Sequence, residues 1–381
     1  MKLIRILSLL GIAVTAVFLV IYIVHLQQVN VKNFTFQPTV VTKYEFSNYN
    51  EYFALENGIY RVTKNGVSKI ADDGTVEWNK SFTLEKPVVY KSADYFVVGD
   101  LEGYQFYVFD KTGFLYEKRV EKEIIKGDVN GNGDVTIVEA QDDRFVVEVY
   151  RKNSDLALRR EMYYKSEGYP VFATLSEDSQ NLVIATTLGI GKTIQSNLTF
   201  MNLGTFGQNV TDDITGILTF EDTIIGIGRF IDNSHFFAVA DDRLLTFTVD
   251  PKPKMSENTV TVANRIQKVA FNKNGAYIYY GPAFEYEEEG LRDTIVCYNG
   301  EGKKQFEIPC DEPVQWMTAT NDLLMVTSDN TFKIYQNARK IRQQTLDKEL
   351  LGVYGIQNNK YLFVYYNEFV IGQFKKSETK E

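Results

Sequence analysis

EYFALENGIYRVTKNGVSKIADDGTVEWNKSF, residues 51–82, contains three short β-rich runs punctuated by Asn57-Gly58, Asn65-Gly66 and Asp73-Gly74. Each dipeptide supplies the positive φ that a tight hairpin demands, and the intervening runs carry the branched and aromatic residues of strands. Residues 94–120, DYFVVGDLEGYQFYVFDKTGFLYEKRV, repeat the layout around Glu102-Gly103 and Thr112-Gly113. Later stretches such as RFVVEVYRKNSD (144–155) and KYLFVYYNEFVIGQF (360–374) have the same character, and helical periodicity is absent from residue 40 onward.

The units recur. First strands are expected to begin near Tyr44, Pro87, Glu123, Pro170, Ile214, Ile266, Pro313 and Leu351, roughly 44 residues apart, and four strands in 40–50 residues is the blade of a β-propeller. The last unit lacks a fourth strand, which a segment near Val40–Phe46 could supply, closing the ring. The fold class is therefore all-β: an eight-bladed propeller, with seven blades as the alternative.

Composition agrees and excludes. Tyr (24) and Phe (26) are abundant while His (2) and Cys (2) are scarce, and aromatic side chains favour the half-buried surface of a sheet. A net charge of −9 without a clustered basic stretch argues against nucleic acid. Cys297 and Cys310 cannot make a zinc site with two histidines; they either form one disulfide or remain two buried thiols.

Residues 6–24, ILSLLGIAVTAVFLVIYIV, form an uncharged run of about nineteen residues, long enough to cross a bilayer. Lys2 and Arg5 precede it and the next base is Lys32, which sets the N-terminus in the cytoplasm and the remainder outside. No small-x-small site follows, so an uncleaved anchor is expected rather than a signal peptide. The expected division is 1–5 cytoplasmic stub, 6–26 transmembrane anchor in contact with the lipid bilayer, 27–39 linker, 40–374 propeller and 375–381 charged tail. The expected localisation is a single-pass cell-membrane protein with an extracytoplasmic propeller.

Asp73-Gly74-Thr75-Val76-Glu77-Trp78 resembles the PQQ-like and YVTN-type (WD40/YVTN-like) propeller repeat, and Gly302-Lys303-Lys304-Gln305-Phe306 keeps its spacing with Phe for Trp. In such repeats the aromatic docks on the next blade, a packing role. DVNGNGDVTIVEAQDDRFVVEVYRKNSD (128–155) and GYPVFATLSEDSQNLVIATT (168–187) resemble a domain-of-unknown-function family of single-pass membrane proteins, mostly from Gram-positive bacteria. That resemblance implies the architecture and no activity. PQQ enzymes carry a calcium site and a tryptophan floor; Trp78 and Trp316 alone do not provide one.

The strongest formal motif is Asp128, Asn130, Asn132, Asp134, Thr136 and Glu139, which match positions 1, 3, 5, 7, 9 and 12 of a calcium-binding EF-hand loop. The flanks alternate as strands rather than helices, so Asn132-Gly133 reads as a hairpin turn, with calcium at this loop the alternative to no cofactor. Gly189-Ile190-Gly191-Lys192-Thr193 lacks the first P-loop glycine and reads as a surface turn. The acidic-aromatic run 284–289, FEYEEE, reads as a solvated loop. His235, the only imidazole beyond the anchor, reads as a packing residue. With no catalytic set visible, a binding or scaffold module for an envelope protein, peptide or cell-wall ligand is expected. A carboxylate-based hydrolase acting in the propeller channel is the alternative.

Overall fold

In a computed structural model the described residues are 15–19, 34–44, 49–55, 58–92, 94–241, 243–256, 260–261, 265–281, 293–320, 322–328, 331–356 and 359–376. Eight antiparallel sheets, blades 1–8, follow one another along the chain. Their first strands are Asn50–Leu55, Pro87–Ser92, Glu123–Val129, Tyr169–Leu175, Ile225–Phe230, Arg265–Asn272, Trp316–Thr320 and Gly352–Ile356. These strands line the central channel, and the sheets of blades 1–7 proceed outward in chain order. The propeller has eight blades.

Neighbouring blades are glued by separate hydrophobic cores. Phe53, Tyr60, Phe96 and Phe109 join blades 1 and 2, Phe200, Phe236 and Phe247 join blades 4 and 5, and Tyr52, Ile59, Leu362 and Phe369 join blade 8 to blade 1. The alternation of strand side chains makes this possible: each blade presents one apolar face to its predecessor and the other to its successor. Trp78 stacks on Phe109 of the next blade, centroids 6.1 Å apart and 5° from parallel, as the repeat resemblance implies.

Two hairpins place their glycines one step later than the dipeptides suggest. Thr63 pairs with Gly66, so Lys64 and Asn65 form the turn; Asp110 pairs with Gly113 in the same way. Gly66 takes φ +147°, where a Cβ would stand 2.4 Å from the Lys80 carbonyl oxygen.

The ring closes through the strand Phe34–Lys43, the outermost strand of blade 8, which pairs antiparallel with Glu368–Lys376. This closing strand begins before the expected boundary at residue 40. Pro38, which reads as a linker residue, sits at a bulge between Pro38 and Val40 and does not end the pairing. Phe36 stacks on Phe363 with centroids 4.3 Å apart, so 34–39 belong to the fold rather than to the linker. Likewise Lys375 and Lys376 pair with Thr35 and Phe34 and belong to the strand, not the tail.

Other first strands shift as well. Blade 1 begins at Asn50, not Tyr44. Ile214 opens the outer strand of blade 4, and blade 5 starts at Ile225. Blade 4 has ten-residue second and third strands, Asn181–Ile190 and Thr193–Asn202, which displace the even spacing.

Of the anchor segment, residues 15–19 are described and helical; the rest of 6–26 lies outside the described residues. Among the described residues no helix is long and apolar enough to cross a membrane.

Cys297 and Cys310 are free thiols within the core between blades 6 and 7, and burial pushes the pKa of each up to about 11.

Closure by one aromatic-bearing strand predicts that Phe36→Ala lowers the unfolding free energy by about 2–3 kcal/mol, read from the urea midpoint.

Candidate functional site

The topology gives the disc two unlike faces. All first strands begin at the upper face, which carries the blade-to-blade connections and the hairpins joining second to third strands. The lower face carries the hairpins joining first to second and third to fourth strands. Lower-face turns are built from Asp and Asn side chains that accept local backbone N–H groups, as Asp110 does from Thr112 and Gly113 and Asn299 from Glu301 and Lys303.

Exposed large apolar side chains occur on both sides of the disc. Among the described residues beyond the N-terminal helix, Tyr163, Tyr164, Tyr169 and Ile224 lie at the upper face beside blade 4, while Val76, Phe114 and Leu156 stand at the lower ends of outer strands and Ile227 on the first strand of blade 5. Leu351 (53% exposed) and Tyr366 (57%) stand at the seam of blades 8 and 1.

That seam holds a cavity of about 380 Å³ lined by Tyr44, Tyr49, Glu51, Tyr52, Tyr354 and Tyr366 among others. Tyr49 donates from its hydroxyl to Glu51 Oε2 at 2.9 Å, and Lys91 Nζ lies 3.6 Å from Glu51 Oε1. The same ammonium sits 4.7 Å from the Phe53 ring centroid and 5.1 Å from that of Tyr354, a cation–π arrangement. Burial pulls the Lys91 pKa down while Glu51 opposes the shift. Burial pushes the Tyr44 phenol up to about 12. Glu51 is thus compensated by an ammonium and a phenol, an arrangement suited to contact rather than proton transfer.

Nearer the lower face the channel is crossed. Arg229 Nη2 of blade 5 donates to Ser92 Oγ of blade 2 at 3.3 Å. Beside them stands Asp128, whose carboxyl is raised by burial, with a Thr174 hydrogen bond and the Arg229 charge opposing.

The EF-hand residues do not converge. Asp128 and Thr136 face one another across a regular ladder. Asn130 Oδ1 accepts from the N–H groups of Asn132 and Asp134, and its Nδ2 donates to Ser176 O and Ser179 Oγ of blade 4. Asp134 is paired with Arg151 at 2.8 Å. Glu139 lies at the far end of its strand, toward the upper face, where Oε2 accepts from Glu121 N and Lys122 N at 3.1 and 2.8 Å. Asp100 does the same in blade 2, accepting from Glu85 N and Lys86 N. The loop is a hairpin and Glu139 is a strut for the connection between blades.

Glu139 has a carboxylate neighbour, Glu148, on the adjacent strand; they are 0% and 3% exposed. Glu148 pairs with Arg159 and accepts from the Tyr150 hydroxyl. Burial, with the Glu148 charge, pushes Glu139 up to about 7. The pair sits between blades 2 and 3 rather than in the channel, buried from solvent. Gly189–Thr193 forms the upper-face hairpin of blade 4, with Ile190 paired to Thr193. The run 284–289 lies outside the described residues.

His235 is half-exposed rather than packed, its Nδ1 2.8 Å from Asp232 Oδ2. Ser234 Oγ approaches that same nitrogen at 3.5 Å. A hydrolytic triad needs serine on Nε2 and aspartate on Nδ1, so these three residues do not form one.

The seam tyrosines, Lys91 and Arg229 escaped the sequence reading. Tyr44 and Tyr366 are adjacent only because the ring closes; the paired tyrosines flanking the first strands of blades 1 and 8 were the available signal.

The chain belongs to DUF5711, a family of unknown function whose model matches residues 32–371. Among curated proteins none matches it. BamB from Moraxella catarrhalis is similar in structure, with TM-score 0.53, 11% identity, and coverage of 89% of this chain and 100% of that one. Saccharomyces cerevisiae Sqt1 gives TM-score 0.56 at 9% identity, covering 89% and 99%. Chaetomium thermophilum Sqt1 bound to the N-terminus of ribosomal protein L10 gives 0.57 at 10%, covering 89% and 100%. Identities this low establish the shared propeller fold.

The raised Glu139 pKa has a defined consequence for stability. The native state holds its proton up to about 7, the unfolded chain only to 4.5, so stability is greatest below the unfolded value and falls as pH rises through that window. Glu139→Gln keeps the acceptor and removes the charge. Its melting temperature should exceed wild type by a few degrees at pH 8, with the gap closing by pH 4.5.

Proposed function

We propose that this DUF5711 member is a membrane-tethered, extracytoplasmic binding module that docks a protein partner on the upper face of its propeller. The observation carrying this reading is the group of exposed apolar side chains at the upper face, Tyr163, Tyr164, Tyr169, Ile224, Leu351 and Tyr366 among them. Exposed tyrosines beside a channel mouth supply large contact area at low entropic cost, the composition of a binding hot spot. The seam cavity offers an anchor pocket within the same face. Sqt1, which shares the fold, is seen bound to the N-terminus of ribosomal protein L10, an example of a propeller holding a protein segment.

The tether fits this polarity. The closing strand starts at Phe34 on the lower side of blade 8. An anchor at 6–26 therefore approaches from below, and residues 27–33 span at most about 25 Å. The upper face then points away from the bilayer.

Intact cells expressing the protein should lose the propeller to externally added protease. A partner recovered by in-cell cross-linking should fall about tenfold in the double variant Leu351→Ser/Tyr366→Ser, and remain in the lower-face variant Asp155→Ser. Equal loss from both variants, or a protease-protected propeller, would count against the proposal.

A further inference from the structure

The outermost strands are the free edges of the blades, and a free edge offers unpaired N–H and C=O groups to any other extended chain. Most are guarded. Charges interrupt the outer strand of blade 1 (Glu77, Lys80), blade 2 (Glu117, Lys118), blade 3 (Arg159, Arg160), blade 6 (Lys304, Glu307) and blade 7 (Lys340, Arg342). Blade 8 has its bulge at Pro38. Blade 5 is broken into Pro253–Met255 and Val260–Thr261.

Blade 4 is the exception. Its outer strand, Ile214–Glu221, reads ITGILTFE, with neither charge nor proline before the last residue. It stays in register with its inner neighbour from Gly216 opposite Phe200 to Glu221 opposite Gln195. Ile217 is 57% exposed, and the far edge meets no strand among the described residues. An uncharged, β-prone edge of this kind is an aggregation hazard when left bare.

We propose that this edge is a strand-addition site, taking an extended segment of a partner protein, with alternating aliphatic and polar residues, as the fifth strand of blade 4. A row of alternating donors and acceptors is matched along its whole length by another extended backbone, which repeats the same spacing. Two copies joined edge to edge would share only this strand of 8 residues, short of the roughly 1,200 Å² that stable dimers bury. A flexible segment needs no surface beyond the edge itself. The site lies on the rim and is independent of the upper face.

The probe is a fluorescein-labelled hexapeptide of alternating Val and Thr with two terminal lysines, titrated against the full chain by fluorescence anisotropy. Saturable binding is expected, lost when every peptide amide is N-methylated, since the side chains remain and the ladder cannot form. Ile217→Lys, and Thr219→Lys as a second exposed position on the strand, should each weaken binding about tenfold. Gln37→Lys on the outer strand of blade 8 should leave it unchanged. Melting curves matching wild type establish that the variants fold. Equal binding by the methylated peptide, by both lysine variants, or no binding at all would overturn the proposal. A full-chain dimer dissolved by Ile217→Lys would overturn it too, assigning the edge to a second copy.

Discussion

Everything in this propeller depends on one ladder, that between Phe34–Lys43 and Glu368–Lys376. Separate hydrophobic cores hold neighbouring blades together, one of them joining blade 8 to blade 1, but only this ladder ties the two ends of the domain into one sheet. Loop closure over more than three hundred residues is entropically unfavourable, and it is offset by pairing the beginning of the domain to its end inside a single sheet. Phe36, between Phe363 and Phe374, turns that pairing into a packed joint. The seam cavity exists only because the joint is made.

The polar interior follows from the same architecture. Each connection between blades brings backbone N–H groups into a crowded corner where they need acceptors. Glu139 and Asp100 meet that need from the ends of second strands. Asp241 does so for Ile224 N. The fifty acids in the sequence thus owe part of their number to construction, which is why acidic motifs in a propeller are poor guides to metal or hydrolytic chemistry. Glu139 shows the tension: its partners hold the carboxylate in place, while burial and Glu148 disfavour its charge.

The fold was legible because the signals are local. Turn glycines, strand alternation and a regular spacing reveal blades one at a time, and the missing fourth strand in the last blade pointed to closure by the N-terminus. Errors arose where the local signal was ambiguous. Residues 34–39 read as linker although they pair in the closing strand, a bulge absorbing Pro38, and the long strands of blade 4 made Ile214 look like the start of a blade. The candidate site was far less legible. Tyr44 and Tyr366, or Ser92 and Arg229, are brought together by ring geometry alone, and no spacing in the chain announces them. The EF-hand match had the opposite defect: close in sequence, its residues are drawn apart once the segment is extended as strands.

The closing strand is also the strand that leads toward the N-terminal segment, so any mechanical load arriving through residues before Phe34 falls directly on the ladder that keeps the ring shut. The bulge at Pro38–Val40 divides that ladder into two short runs. Under tension the run from Phe34 to Pro38 would yield first, baring Phe363 and Phe374, while Val40–Lys43 still held the circle. The propeller would then open in two stages, the ring still closed through the first and lost only with the second.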